Sequence, residues 1–132
     1  MFRTSKPGDL RPISDLVSLK GKRALITGSA AGIGKAIAFR FAEAGAALEL
    51  VDLNEEMLRN TKVELTQFNV EINIHRIDLS NRNEIISLWE KLSKKEPDIL
   101  VNNAGIYPFK DFLEIDEAFL EKVMKTNFYS VF

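Results

Sequence analysis

From residue 23 onward, short apolar runs alternate with longer stretches of helical periodicity. Arg23-Ala24-Leu25-Ile26-Thr27 has the length and composition of a buried strand. Ile33, Ile37, Phe41 and Ala44 then recur at helical spacing, and Gly45 stands where a helix end takes a left-handed residue. Residues 46–51 read as a second strand. Asn54 can cap a helix from Glu55 to about Phe68 that has Met57, Leu58, Val63, Leu65 and Phe68 as its apolar positions. Residues 71–77 alternate polar and apolar, the pattern of an edge strand, which puts His75 at the surface. Ser80 or Asn81 opens a helix to about Ser93 whose buried face holds Ile85, Ile86, Trp89 and Leu92. Pro97 breaks the chain before a fourth strand, 98–101, and a last helix starts near Asp116 and runs on through Phe132. Residues 1–20 form an extension, partly irregular, from which Ile13, Leu16, Val17 and Leu19 can pack on the domain spanning 21–132. Repeated strand–helix units imply an α/β fold with a parallel sheet and right-handed crossovers.

Composition narrows the function classes. The chain has 132 residues, the length of one domain, and a net charge of −1. That balance gives no support for binding to nucleic acid or an anionic membrane. No apolar run approaches a transmembrane span, and MFRTSKPGDLRP lacks the apolar centre of a secretory signal. There is no cysteine, which removes disulfides and thiolate chemistry, and the cytoplasm is the expected location.

Three of the seven glycines fall in one eight-residue stretch, TGSAAGIG, at residues 27–34. Glycine is costly in ordered backbone, so the cluster calls for a reason. It lies at a strand-to-helix turn, where bare backbone can approach a ligand and a helix N-terminus offers free N–H groups to a phosphate. A Walker loop does not fit: position 29 is Ser, and Gly34-Lys35 is followed by Ala36. The strict G-x-G-x-x-G fingerprint fits Gly32 and Gly34 but meets Ile37 at its third glycine. What remains is T-G-x-x-x-G-I-G, and in this the chain resembles the short-chain dehydrogenase/reductase family.

That resemblance implies a Rossmann-type doubly wound sheet in the order 3-2-1-4, cut off before the family's later strands, with a ligand crevice between strands 1 and 4. Gly28, Ser29, Ala31, Gly32, Ile33 and Gly34 then belong to the cofactor loop. Asp52, eighteen residues beyond Gly34 and followed by Leu53, is placed to accept hydrogen bonds from the adenosine ribose. Asp78 and Leu79, after the third strand, correspond to the family's adenine contact. Asn102-Asn103-Ala104-Gly105 matches the family's NNAG, in which one asparagine ties strands and the other reaches the cofactor; the resemblance implies Asn103, Ala104 and Gly105 as cofactor contacts. Asn127 matches the asparagine of the family's catalytic relay. Plainer uses stand beside these: Asp52 and Asp78 as loop or turn acids, Asn102 and Asn103 as turn formers, Asn127 as a structural hydrogen-bonding group.

The family's serine and Tyr-x-x-x-Lys are not found. Tyr107 is followed four residues later by Asp111, and Tyr129 lies three residues before the last residue given. The expectation is an NAD-dependent oxidoreductase acting on a secondary alcohol or ketone, represented by its cofactor-binding half and inactive alone. The alternative is a non-catalytic dinucleotide-binding module. NAD is expected over NADP because Asp52 repels a 2′-phosphate and neither Ser29, Ala30, Ala31 nor Leu53 supplies a cation. Strand 4 is left without an outer neighbour, so pairing with a second copy or with a missing half is expected.

Overall fold

A computed structural model describes residues 11–132. The part of the expected extension at 1–10 lies outside the described residues. Pro12 opens α1, a single turn at Ile13–Leu16. Its apolar side chains do not pack on the domain: Ile13 is 78 % exposed, and Leu16 and Val17 are open as well. Only Leu19 reaches the core. The reason is length: α1 is a single four-residue turn, and the chain enters the sheet at Arg23.

The strands are β1 (Arg23–Thr27), β2 (Ala47–Asp52), β3 (Ile72–Arg76) and β4 (Ile99–Val101). They form one parallel sheet in the order β3-β2-β1-β4. The registers align Thr27 with Val51 and Asp52 with Arg76, so the strands end together along one edge of the sheet. The helices α2 (Gly32–Glu43) and α3 (Glu55–Leu65) cross back over one face; α4 (Arg82–Leu92) and α5 (Glu117–Asn127) follow β3 and β4. Asn54, Asn81 and Asp116 cap α3, α4 and α5, each accepting a bond from a first-turn N–H. The expected helix to Phe68 tightens after Leu65 into a 3-10 turn, closed by Asn69 at φ +53°.

Alternation along the strands sorts the core into two. Ala24, Ile26, Leu48 and Leu50 meet α2 and α3 through Ala38, Ala42, Leu58 and Leu65. Leu25, Val51 and Ile77 meet Leu88 and Leu92 of α4 on the opposite face. Three expectations fail here. The buried stripe of α4 is Leu88 and Leu92, while Ile86 and Trp89 are 46 % and 42 % exposed. They sit a step round the helix and line a groove with Leu100 and Phe132 beside the free edge of β4. The last helix stops at Asn127; Phe128 then meets Tyr129 edge-on and Phe132 at a tilt, and the backbone closes into a 3-10 turn. His75 is no surface residue: its side chain is half-buried against Glu49. No helix among the described residues is long and apolar enough to cross a membrane.

Candidate functional site

The C-terminal ends of the four strands converge on a cleft of about 500 Å³. Of the residues singled out from sequence, Gly28, Asp52, Leu53, Asp78, Leu79, Ala104 and Gly105 line it. Ala31, Gly32 and Ile33 form the exposed first turn of α2, and Ala31 makes no capping bond with its side chain. The free N–H groups of that turn are therefore available to an anion. Gly34 and Ser29 lie beneath, buried. Ser29 is turned inward, its hydroxyl and its amide both donating to the Val51 carbonyl at 3.2 Å.

Close packing explains two of the glycines. Gly28 sits at φ +65°, and a Cβ there would come within 2.9 Å of Ala104 Cα. A Cβ on Gly34 would run into the Gly28 carbonyl oxygen and the Asn103 amide. Asn103 Nδ2 donates to the carbonyls of Thr27 and Gly28 at 3.0 and 3.2 Å. Expected as a cofactor contact, Asn103 instead spends its amide nitrogen on the loop backbone and ties β1 to the end of β4, whereas Asn102 is exposed beside the groove under α4. Thr27 was not among the expected site residues, although it opens the motif. Its hydroxyl donates to Val101 O and accepts from the amides of Asn103 and Ala104, both at 3.0 Å, which joins β1 to the end of β4.

Asp52 is half-buried, with Oδ2 accepting from Ala30 N at 3.1 Å and Oδ1 from Asn54 N at 3.0 Å. Two backbone donors fix the carboxylate beside the glycine loop and leave lone pairs toward the cleft. Lys35, the nearest cation in α2, is drawn away to Glu64 of α3 at 2.7 Å. Asp78 Oδ1 accepts from the hydroxyl and the amide of Ser80 at 2.7 and 2.9 Å. Those two bonds, the hydroxyl first, hold the Asp78 carboxyl below its usual range and keep it ionised. Glu84 fastens the same corner by accepting from Asp78 N at 2.8 Å.

Asn127 is brought to the site but faces inward. It donates from Nδ2 to Ile106 O at 2.9 Å and accepts at Oδ1 from Ile106 N at 2.8 Å. Periodicity gave no sign of the far wall, formed by Ala118, Glu121, Lys122, Lys125 and Thr126 of α5. No cluster of potential metal ligands occurs among the described residues. The donor set fits a dinucleotide: an uncapped helix N-terminus, a glycine turn closed to side chains at Gly28 and Gly34, and carboxylates at the end of β2 and just past β3.

Comparison with known proteins points the same way. The chain is 40 % identical over 116 residues to a 3beta-hydroxysteroid dehydrogenase 2 of Eggerthella lenta, matching 86 % of this chain and 45 % of that protein. Among solved structures, a 7alpha-hydroxysteroid dehydrogenase complexed with NADH and 7-oxo glycochenodeoxycholic acid superposes with a TM-score of 0.82 at 34 % identity. That match covers 92 % of this chain and 48 % of the other. An L-sorbose reductase from Gluconobacter frateurii, complexed with NADPH and L-sorbose, gives a TM-score of 0.81 at 29 % identity, over 87 % and 45 % of the two chains. The chain thus spans about half the length of the relatives it matches. The sequence model described as short chain dehydrogenase matches residues 22–132, and with the glycine loop and NNAG segment in place the chain belongs to that family.

Proposed function

We propose that this chain is the cofactor-holding part of an oxidoreductase that interconverts a secondary alcohol and a ketone, with NAD(H) preferred over NADP(H). The observation that carries the cofactor reading is Asp52, a carboxylate fixed by Ala30 N and Asn54 N at the ribose end of the glycine loop. A 2′-phosphate would meet that charge with no cation from Ser29, Ala30, Ala31 or Leu53, and Lys35 is held by Glu64. The first turn of α2 receives the diphosphate, and Asp78 with the Leu79 amide receives the adenine. The nicotinamide supplies and takes the hydride. On the far wall Lys125 is paired to Glu121 at 2.8 Å, which leaves Lys122 to add positive charge to a cleft that must hold a diphosphate.

Asn127 acts as a positioning residue: both polar atoms of its side chain grip Ile106, which holds the cleft wall beside Gly105. Relatives whose names specify hydroxysteroids stand beside one that reduces L-sorbose, so the substrate reading stops at the secondary alcohol or ketone. Titrating the chain with NADH and with NADPH tests the reading. NADH should bind at least about tenfold tighter, and Asp52→Ala should narrow the gap. Equal or tighter NADPH binding sinks the choice of NAD; binding of neither sinks the site. Residues 1–132 alone should form no NADH from a panel of secondary alcohols, because proton transfer has no Tyr-x-x-x-Lys to run through. Turnover by a verified product of this length would overturn that.

A further inference from the structure

Glu49 lies in the middle of β2 with 2 % of its surface exposed, a carboxylate inside an otherwise apolar run. Its Oε1 accepts from Arg23 of β1 and, at 3.0 Å, from Asn73 of β3. Its Oε2 has one described partner, His75 Nε2 of β3 at 2.7 Å. Burial pushes the Glu49 carboxyl up, but the bonds from His75, Asn73 and Arg23 outweigh it and keep the group ionised. The other charges at this face are Glu71, just before β3 and paired to Arg23 at 2.7 Å, and Lys95 after α4, paired to Glu71 at 3.1 Å. Every buried polar side-chain atom among the described residues is satisfied. The cleft uses none of these groups.

Their place in the sheet suggests a use. Among the described residues β3 is a margin strand, paired with β2 alone. The ends of these two strands lead to the cleft carboxylates, Asp52 closing β2 and Asp78 two residues past β3. His75 pairs in register with Val51, Arg76 with Asp52, and Ile77 N donates to Asp52 O at 3.0 Å. We propose that the Glu49–His75 pair is a positioning device: it clamps β3 to β2 and so presets Asp52 and Asp78 for the adenosine half of the cofactor. This rests on the dinucleotide reading given above. A slip of β3 would carry Asp78 away from Asp52, and a clamp placed three residues before each carboxylate resists that slip where it matters.

His75→Leu removes the partner of Oε2 and leaves a buried charged oxygen unpaired, a costly arrangement that β3 can relieve by moving outward. His75→Gln keeps an N–H in reach of Oε2. Amide hydrogen exchange in the cofactor-free protein reads the clamp through Ile77 and Ala30, whose N–H groups bond to Asp52, with Phe128, at the C-terminal cap of α5, as a remote control. Exchange at Ile77 and Ala30 should quicken at least about tenfold in His75→Leu, stay unchanged at Phe128, and return to normal in His75→Gln. ADP-ribose affinity should fall by about tenfold in His75→Leu and recover in His75→Gln. His75→Ser, which admits water to Oε2, supplies the same comparison if the leucine variant does not fold. Quickening to the same extent at Phe128, no change at Ile77, or unaltered ADP-ribose affinity in a loosened protein would each overturn the proposal. A wild-type chain that binds neither ADP-ribose nor NADH removes the dinucleotide reading instead, and the exchange pattern still decides whether the clamp exists.

Discussion

Gly34 and Gly28 touch across the turn that joins β1 to α2, and Asn103 fills the remaining space. A valine at either glycine must push the loop from its seat, since neither the Gly28 carbonyl nor the Ala104 backbone can yield as a side-chain tip would. Gly28→Val and Gly34→Val should each weaken NADH binding by at least about tenfold while far-ultraviolet dichroism keeps its helical signal. Unchanged affinity in both would detach the loop from the cofactor. Charged residues predict a second behaviour. Bonds from Arg23, Lys95 and Asn73 draw the Glu71 carboxyl from 4.5 to about 2, and Glu49 is held low as well. A carboxylate whose folded pKa is depressed stabilises the fold above its unfolded pKa, and that contribution disappears as pH falls from about 4.5 toward about 2. Urea midpoints measured across that window should therefore drop, and Glu71→Gln should drop less steeply than wild type. A parallel fall in both proteins would show that other groups carry the acid sensitivity.

Elements explain why some of this was legible in the sequence and some was not. Asp52, Asp78 and the glycine loop were readable because each ends an apolar run, and parallel strands in one register bring such ends to one edge. Glu49 and His75 were not, because the bond joins residues 26 apart on different strands and alternation alone assigned 71–77 a wet face. The α4 stripe was misread for a similar reason. Ile85, Ile86, Trp89 and Leu92 are a legitimate helical set, but the sheet meets the helix at Leu88 and Leu92, and the free edge of β4 leaves the other flank uncovered. The turn at Asn127 is also a tertiary effect, since its side chain is committed to Ile106, 21 residues away. Asn127→Leu removes two bonds from a half-buried backbone group and should cost about 1–3 kcal/mol. It should also hasten limited proteolysis between Gly105 and Ile115, where Tyr107, Phe109 and Leu113 stand in solvent. Wild-type resistance in that variant would mean that α5 does not secure the segment.

For the whole molecule, the sheet ends differently on its two sides. The β3 side is lined by Glu71, Asn73, His75 and Arg76, with ion pairs from Arg23, Lys95 and Glu84. The β4 side offers Leu100, 47 % exposed, flanked by Ile86, Trp89, Tyr129 and Phe132. Unpaired backbone beside apolar surface invites association, whereas charge on a margin discourages it. Residues 1–132 on their own should self-associate through β4, and Leu100→Lys should shift light scattering toward the monomer mass. A monodisperse monomer of the unaltered chain would refute this. In the language of polymer growth, residues 1–132 pairing in this way would be monofunctional: joining two β4 margins would consume the sticky end of both and leave charged strands outermost, so the first coupling would also be the terminating step.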